Sequence, residues 1–192
     1  MPGNGVILYG PPAAGKDTIT AALIRLHPDY VHFPRLKAGT GRTDGYRLTT
    51  LIELDQLRDA GQIVYENHRY GNRYAVDRPH LDTLTAADLI PVVHIGQVAG
   101  AHAVLKYPAR WLPVLLWCSR QATEKRVTAR GNPDIAARLR AWDETQADLS
   151  EGRSAVFRLS IDTEHHDPES AAQLIHATLI DTDPTAPSAR DG

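Results

Sequence analysis

Cysteine is almost missing from this 192-residue chain. The single one, Cys118, leaves no partner for an internal disulfide, and its place at the end of an apolar run reads as a core thiol. An excess of one charge is missing too. The 21 Lys and Arg against 23 Asp and Glu give a formal net charge of −2, so electrostatics argues against nucleic acid or an anionic membrane as the main partner. No apolar stretch approaches the ~20 residues of a membrane span. The N-terminus has no basic start, and its apolar run leads straight into a glycine-rich loop, so it does not read as a signal peptide. Internal repeats are absent. What remains is a globular composition, 42% hydrophobic and 23% charged, of a size for one domain with a real core. The expectation is a cytoplasmic protein, monomeric or homodimeric.

What is present begins at residue 10. Gly10 to Thr18 read G-P-P-A-A-G-K-D-T, directly after the apolar run Gly5–Tyr9 and directly before a helix-patterned segment. This is the strand–loop–helix setting of a phosphate-binding loop. Gly10 and Gly15 let the backbone curl so that several N–H groups face one anion, while Pro11, Pro12, Ala13 and Ala14 complete the turn. Lys16 adds a point charge where outer phosphates would lie, and the following helix offers its positive end. A glycine-rich turn that binds nothing is the alternative. The residue after the lysine is commonly Ser or Thr, whose hydroxyl meets magnesium. Here it is Asp17, which reads as a metal ligand, direct or through water, or as a helix-capping carboxylate. Thr18 is the weaker metal candidate.

Short apolar runs at 5–9, 31–33, 89–95, 112–118 and 156–161 read as strands buried on both faces. Helices fall between them. One has a stripe of Ile19, Ala22, Leu23 and Leu26. A second starts at Ser119 and stops at Gly131. A third is capped by Asn132, with Ile135, Leu139, Trp142 and Leu149 inward. The last begins at Asp167-Pro168, with Leu174, Ile175 and Leu179 inward. Five strands with intervening helices predict an α/β fold, a parallel sheet wrapped on both faces. Residues 34–77 break the rhythm. A polar, glycine-dotted loop leads to the capping box Thr50-x-x-Glu53. Then Gln62–Tyr70 and Arg73–Val76 flank Gly71-Asn72 as a hairpin. Its first arm carries Glu66 and His68 on one face and Asn67 and Arg69 on the other, which predicts a small lobe lining a ligand cleft. An exposed, twisted flap is the other reading.

Together these features resemble the guanylate kinase family and its relative, ribose 1,5-bisphosphate phosphokinase. Arg126-Val-Thr-Ala-Arg130-Gly131, followed by Arg138-Leu139, is similar to the family's lid, R-x-x-x-R-G with a later R-L. Gly71-Asn-Arg-Tyr74 is similar to its G-N-x-Y. The G-K-D-T form of the loop is closer to the sugar-phosphate enzyme. In the acceptor region, Arg35, Arg42 and Tyr46 match only with a shifted gap. Glu66 stands one position from where the family's guanine-reading glutamate would fall. The resemblance implies a P-loop NTPase fold with a five-stranded parallel sheet, a β-rich acceptor-binding insert and a helical lid. It implies ATP and Mg2+ as donor and cofactor, and a phosphorylated small molecule, GMP-like, as acceptor. Residues 1–180 would form one kinase domain (core 1–33 and 78–180, insert 34–77, lid about 120–142), followed by a disordered tail at 181–192.

Phosphoryl transfer asks mainly for positioning and positive charge. Lys16 would hold the donor's outer phosphates. Arg126 and Arg130, one helical turn apart, would close over the transferring group with Arg138. Arg35, Lys37, Arg42, Tyr46, Glu66, Tyr74 and Gln97 are the acceptor-binding candidates, and Asp162 and Thr163 would border the donor's base. For the arginines the alternative is a solvated basic face. His165-His166 reads as a solvated loop rather than a metal site, and Trp111, Trp117 and Trp142 as core. The competing readings are a ribose 1,5-bisphosphate or other phosphorylated-metabolite kinase and a non-catalytic guanylate-kinase-like binding module. Retention of Lys16, Arg126 and Arg130 argues against the latter.

Overall fold

The apolar runs assemble side by side because each is short, β-branched-rich and without a polar face to turn toward water. In the computed structural model, which describes residues 3–41, 43–69, 71–131, 134–150 and 156–181, the central strand is β1 (Asn4–Tyr9). It is flanked by β7 (Ile90–Ile95) and β8 (Arg110–Trp117). β2 (Tyr30–His32) and β9 (Leu159–Asp162) form the edges, giving five parallel strands in the order β2-β7-β1-β8-β9. Val6, Ile7, Leu8 and Tyr9 are all 0% exposed. Burial on both faces stabilises each such side chain by roughly 1.5–3 kcal/mol.

The helices α1 (Lys16–Leu26) and α7 (Pro168–Asp181) cover one face through Ile19, Ala22, Leu23, Ile175 and Leu179. The other face lies under α3 (Arg78–Ala86) and α4 (Val98–Leu105), through Leu81, Val98, Ala101 and Val104. Gly5 is required there, since a Cβ would stand 2.3 Å from the Trp111 ring. The helix pair α5 (Arg120–Ala129) and α6 (Ile135–Ser150) packs across the carboxyl edge. Ser119 caps α5 by accepting from the Ala122 N–H; the expected cap at Asn132-Pro133 lies outside the described residues.

A second, four-stranded sheet stands over that same edge, ordered β4-β3-β6-β5. It consists of β3 (Arg35–Ala38), β4 (Tyr46–Leu48), β5 (Ile63–Arg69) and β6 (Asn72–Asp77). The hairpin forms as expected, with Gly71 at φ 70. The segment expected to be a polar loop is not one: Arg35–Ala38 pairs with both β6 and β4. Its polar residues hid a strand whose Leu36 and Ala38 pack with Leu54 and Ala75 in a small core of their own. Leu54 belongs to α2 (Leu51–Asp59), which opens on the capping box of Thr50 and Glu53.

Other expectations need correction. Leu26 and Leu174 are exposed, while Thr20 and Ala171 take buried positions on their helices. Val156 and Phe157 precede the last strand rather than joining it, and Phe157 packs against Tyr9 at 4.8 Å between ring centres. Of the tail expected to be disordered, Asp181 ends α7 and residues 182–192 lie outside the described residues. Among the described residues, no helix is long and apolar enough to cross a membrane.

Candidate functional site

The loop after β1 curls because its backbone has no room to do otherwise. A Cβ at Gly10 would lie 2.2 Å from the Leu116 carbonyl oxygen, and Ala13 and Gly15 both take left-handed conformations, φ 59 and 88. Pro11 and Ala14 are buried, and Ala14 packs into the core, so the loop is anchored from beneath. α1 starts on Gly15 with no side chain capping it. Its first amides, with the helix dipole behind them, form an anion site by construction. Asp17 therefore does not cap α1; it lies in the first turn.

Lys16 donates to the carbonyls of Gly10 (2.7 Å) and Pro11 (2.8 Å), which holds its ammonium across the loop. Burial pulls its pKa down to about 8, with Asp17 and Cys118 opposing and Arg35 and Arg69 assisting.

Two cavities flank the loop. The first, about 320 Å³, lies between the loop and the second sheet. From the loop side Gly10, Pro12, Ala13, Lys16 and Asp17 line it, with His32, His94 and Gly96 from the strand ends. From the second sheet come Arg35, Tyr46, Asn67, Arg69 and Tyr74, with Asp44 and Gly45 beside them. Arg130 and Arg138 close it from α5 and α6. Five cationic side chains thus face two carboxylates, an environment for several phosphate oxygens. The second cavity opens on the other side of the loop, among Gly15, Thr18, Arg126, Arg130, Thr163 and residues 164–168.

The geometry separates the expected site residues. Arg35, Tyr46 and Tyr74 converge on the first cavity. The Arg35 guanidinium lies 5.2 Å from the Tyr74 ring centre, and Arg35 also donates to Asn67. Lys37 does not line it. This lysine is buried beneath the rings of Tyr46 and Tyr74 and donates to the Thr40 carbonyl at 2.6 Å.

Glu66 is on the opposite face of β5, bonded to Arg73 and Arg58, with Asp55 completing the network. The period-2 alternation that puts Asn67 and Arg69 into the cleft turns Glu66 away from it. Gln97 accepts from the Tyr65 hydroxyl and does not line the cavity. Arg126 stands in the second cavity, donating to the carbonyls of Ala13 (3.1 Å) and Thr163 (2.7 Å). It braces the loop rather than reaching across the first cleft. Thr18 likewise faces the second cavity, together with Thr163; Asp162 holds His165 and His166 through its carboxylate and carbonyl. Arg42 lies outside the described residues.

Sequence reasoning missed Arg69, whose guanidinium lines the cleft and pairs with Glu144 of α6. Its signal was present, since it shares the Asn67 face of β5. Sequence reasoning also missed His32 and His94, which line the cleft from the strand ends.

For a metal, the donor set is small. Among the described residues, no cluster of three or more His, Cys, Asp or Glu side chains could hold an ion alone. Asp17, 62% exposed beside Lys16, is a single hard carboxylate. That suits Mg2+, which takes one or two carboxylates and completes its shell with phosphate oxygens and water.

No known family profile matches the chain. It is 29% identical over 145 residues to the guanylate kinase of Bordetella pertussis, a match covering 71% of this chain and 66% of that protein, just under two thirds of its length. With the guanylate kinase of Trichormus variabilis it shares 25% identity over 188 residues, 93% of this chain and 90% of the relative. The solved guanylate kinase of Anaplasma phagocytophilum superposes with a TM-score of 0.66 at 17% identity, covering 94% of this chain and 88% of that one. In sequence and in fold the chain is guanylate kinase-like, a P-loop kinase architecture with its β-rich insert.

Proposed function

We propose that this guanylate kinase-like chain is an ATP-dependent phosphotransferase. It moves the γ-phosphoryl group of ATP to the phosphate of a nucleoside monophosphate, with GMP the first acceptor to test. One observation carries the reading: a backbone anion cradle with its lysine and a second cluster of arginine and tyrosine face each other across one cleft. A cradle alone would suit any nucleotide binder. A second phosphate grip opposite it is what a transfer between two phosphorylated molecules needs.

In this reading the loop amides and Lys16 hold the donor's outer phosphates, and the second cavity, with Arg126 and Thr163, receives its nucleoside. Arg35, Arg69, Tyr46 and Tyr74 hold the acceptor phosphate, while Asp44 and Asn67 are the polar groups placed to read a base that offers both donors and acceptors. The pair α5–α6 acts as the lid, bringing Arg130 and Arg138 onto the charge that develops on the transferring oxygens. Asp17 is the residue that would hold Mg2+, which would supply positive charge against the donor's phosphates. The names of the relatives support GMP. Against a guanine-specific site stands the engagement of Glu66 with Arg73 and Arg58, which favours a sugar phosphate such as ribose 1,5-bisphosphate as the second reading.

The test is ADP release from ATP and Mg2+ with GMP, dGMP, AMP, CMP, UMP or ribose 1,5-bisphosphate. Turnover with GMP at least tenfold above the others is expected. Turnover with the sugar phosphate alone would replace the acceptor, and ATP binding without turnover on any acceptor would favour a binding module.

A further inference from the structure

The residue after the P-loop lysine is an aspartate, and its neighbour across the sheet edge is a histidine. P-loop enzymes generally hold their metal with a hydroxyl on the loop and an aspartate elsewhere in the site. Here the acid is on the loop. β1 and β7 run parallel with Leu8 opposite His94, so His94 emerges beside the strand end that feeds the loop. Its Nδ1 lies 3.5 Å from Asp17 Oδ1, and its Nε2 lies 2.7 Å from Thr20 Oγ1. Thr20 is buried, 3% exposed, one turn beyond Lys16 on α1. The His94 side chain is only 14% exposed and packs against the His32 ring at 4.8 Å between centres.

These partners hold the ring from both of its nitrogens. A carboxylate only accepts, so Nδ1 is the donor toward Asp17, while Nε2 shares the second contact with the Thr20 hydroxyl. The relay Thr20–His94–Asp17 runs from a buried hydroxyl to the cleft and orients one carboxylate beside Lys16, as outer partners orient metal-binding ligands elsewhere. A second carboxylate at position 94 would face Asp17 as a like charge.

We propose that Asp17 is the metal-side carboxylate of this chain's magnesium site and that His94 is the positioning residue that aims it. This rests on the phosphotransferase reading. The interaction between positions 17 and 94 is reciprocal, so an acid should be needed at one of them and tolerated poorly at both.

The test is the factor by which Mn2+ tightens binding of a fluorescent ATP analogue, read on the same samples as its affinity in EDTA and the thermal melt. Wild type should show a large factor. Asp17→Ser should lose it while keeping the EDTA affinity, and Asp17→Ser with His94→Asp should regain most of it. His94→Ala should weaken Mn2+ by roughly tenfold, with His94→Asn recovering most of that loss. A merely structural role for His94 would lower the EDTA affinity as much as the Mn2+ affinity and would give no recovery in the double exchange. A full metal effect in Asp17→Ser, or a double exchange no better than Asp17→Ser alone, overturns the proposal while leaving the kinase reading intact. Wild type that binds no ATP analogue under either condition overturns the kinase reading itself.

Discussion

In the proposed function the two walls of the cleft would grip anions by different means. On the loop side the donors are main-chain amides, set by nine consecutive residues whose turn is forced by Gly10, Ala13 and Gly15. On the insert side the donors are side chains, Arg35 from β3, Tyr46 from β4, Arg69 from β5 and Tyr74 from β6, gathered by strand pairing. A backbone cradle tolerates almost any side chain around it but depends on its lysine for charge. A side-chain grip can be retuned one residue at a time, at the cost of depending on register, because a one-residue slip in β5 would exchange Arg69 for an outward neighbour. In that reading the loop wall suits a fixed ligand and the insert wall a variable one.

The contrast makes graded predictions. Lys16→Ala strikes the one cationic side chain of the loop wall and should lower turnover by roughly 10²–10³ or more with every acceptor, with little change in melting temperature. Near-normal steady-state kinetics would remove Lys16 from the site. Arg69→Ala strikes one of several charges on the other wall. Loss of charge-assisted hydrogen bonds worth roughly 1.5–3 kcal/mol should raise the acceptor KM by about 10–100-fold and leave the KM for ATP alone. Glu144→Gln, which removes only the partner of Arg69, should leave the acceptor KM nearly unchanged.

The pH response should also belong to the loop wall. Burial holds Lys16 at about 8 in the free protein, and polyphosphate favours its charged form. Affinity for ATP should accordingly be level below pH 8 and fall as pH rises through that value, by at most about tenfold per unit; Lys16→Met should be weak and flat. The smallest effect is expected for Glu66→Gln, which loses ion pairs to Arg73 and Arg58 on the outer face. It should cost about 1 kcal/mol in denaturant unfolding and leave the acceptor KM within about twofold. A tenfold rise there would return Glu66 to the cleft.

The same contrast explains what could be read from the sequence. The loop, the five strands and the hairpin are local, so the G-x-x-x-x-G-K spacing, apolar runs and Gly71-Asn72 announced them. The insert's first two strands were hidden because Arg35, Lys37 and Arg47 break the apolar alternation, and their reasons lie far away in sequence. Lys37 is polar yet buried because two tyrosine rings and the Thr40 carbonyl receive it. Arg47 is tied to Asp77 and the Pro34 carbonyl. Glu66 drew attention as the acid nearest the expected spacing, but alternation along β5 decided its direction. Arg126 was expected to close over the transferring group with Arg130, and only its bonds to Ala13 and Thr163 reveal that it braces the loop.

The claim common to all of this is that the two walls are halves of one transfer site, close enough to be bridged by a single chain of phosphates. Adenosine and guanosine joined through five phosphates measure that directly by isothermal titration. The account predicts binding at least a hundredfold tighter than ATP or GMP alone, since the second contact becomes intramolecular, with the gain lost in both Lys16→Ala and Arg69→Ala. Binding no tighter than ATP, or a gain untouched by Arg69→Ala, would contradict it.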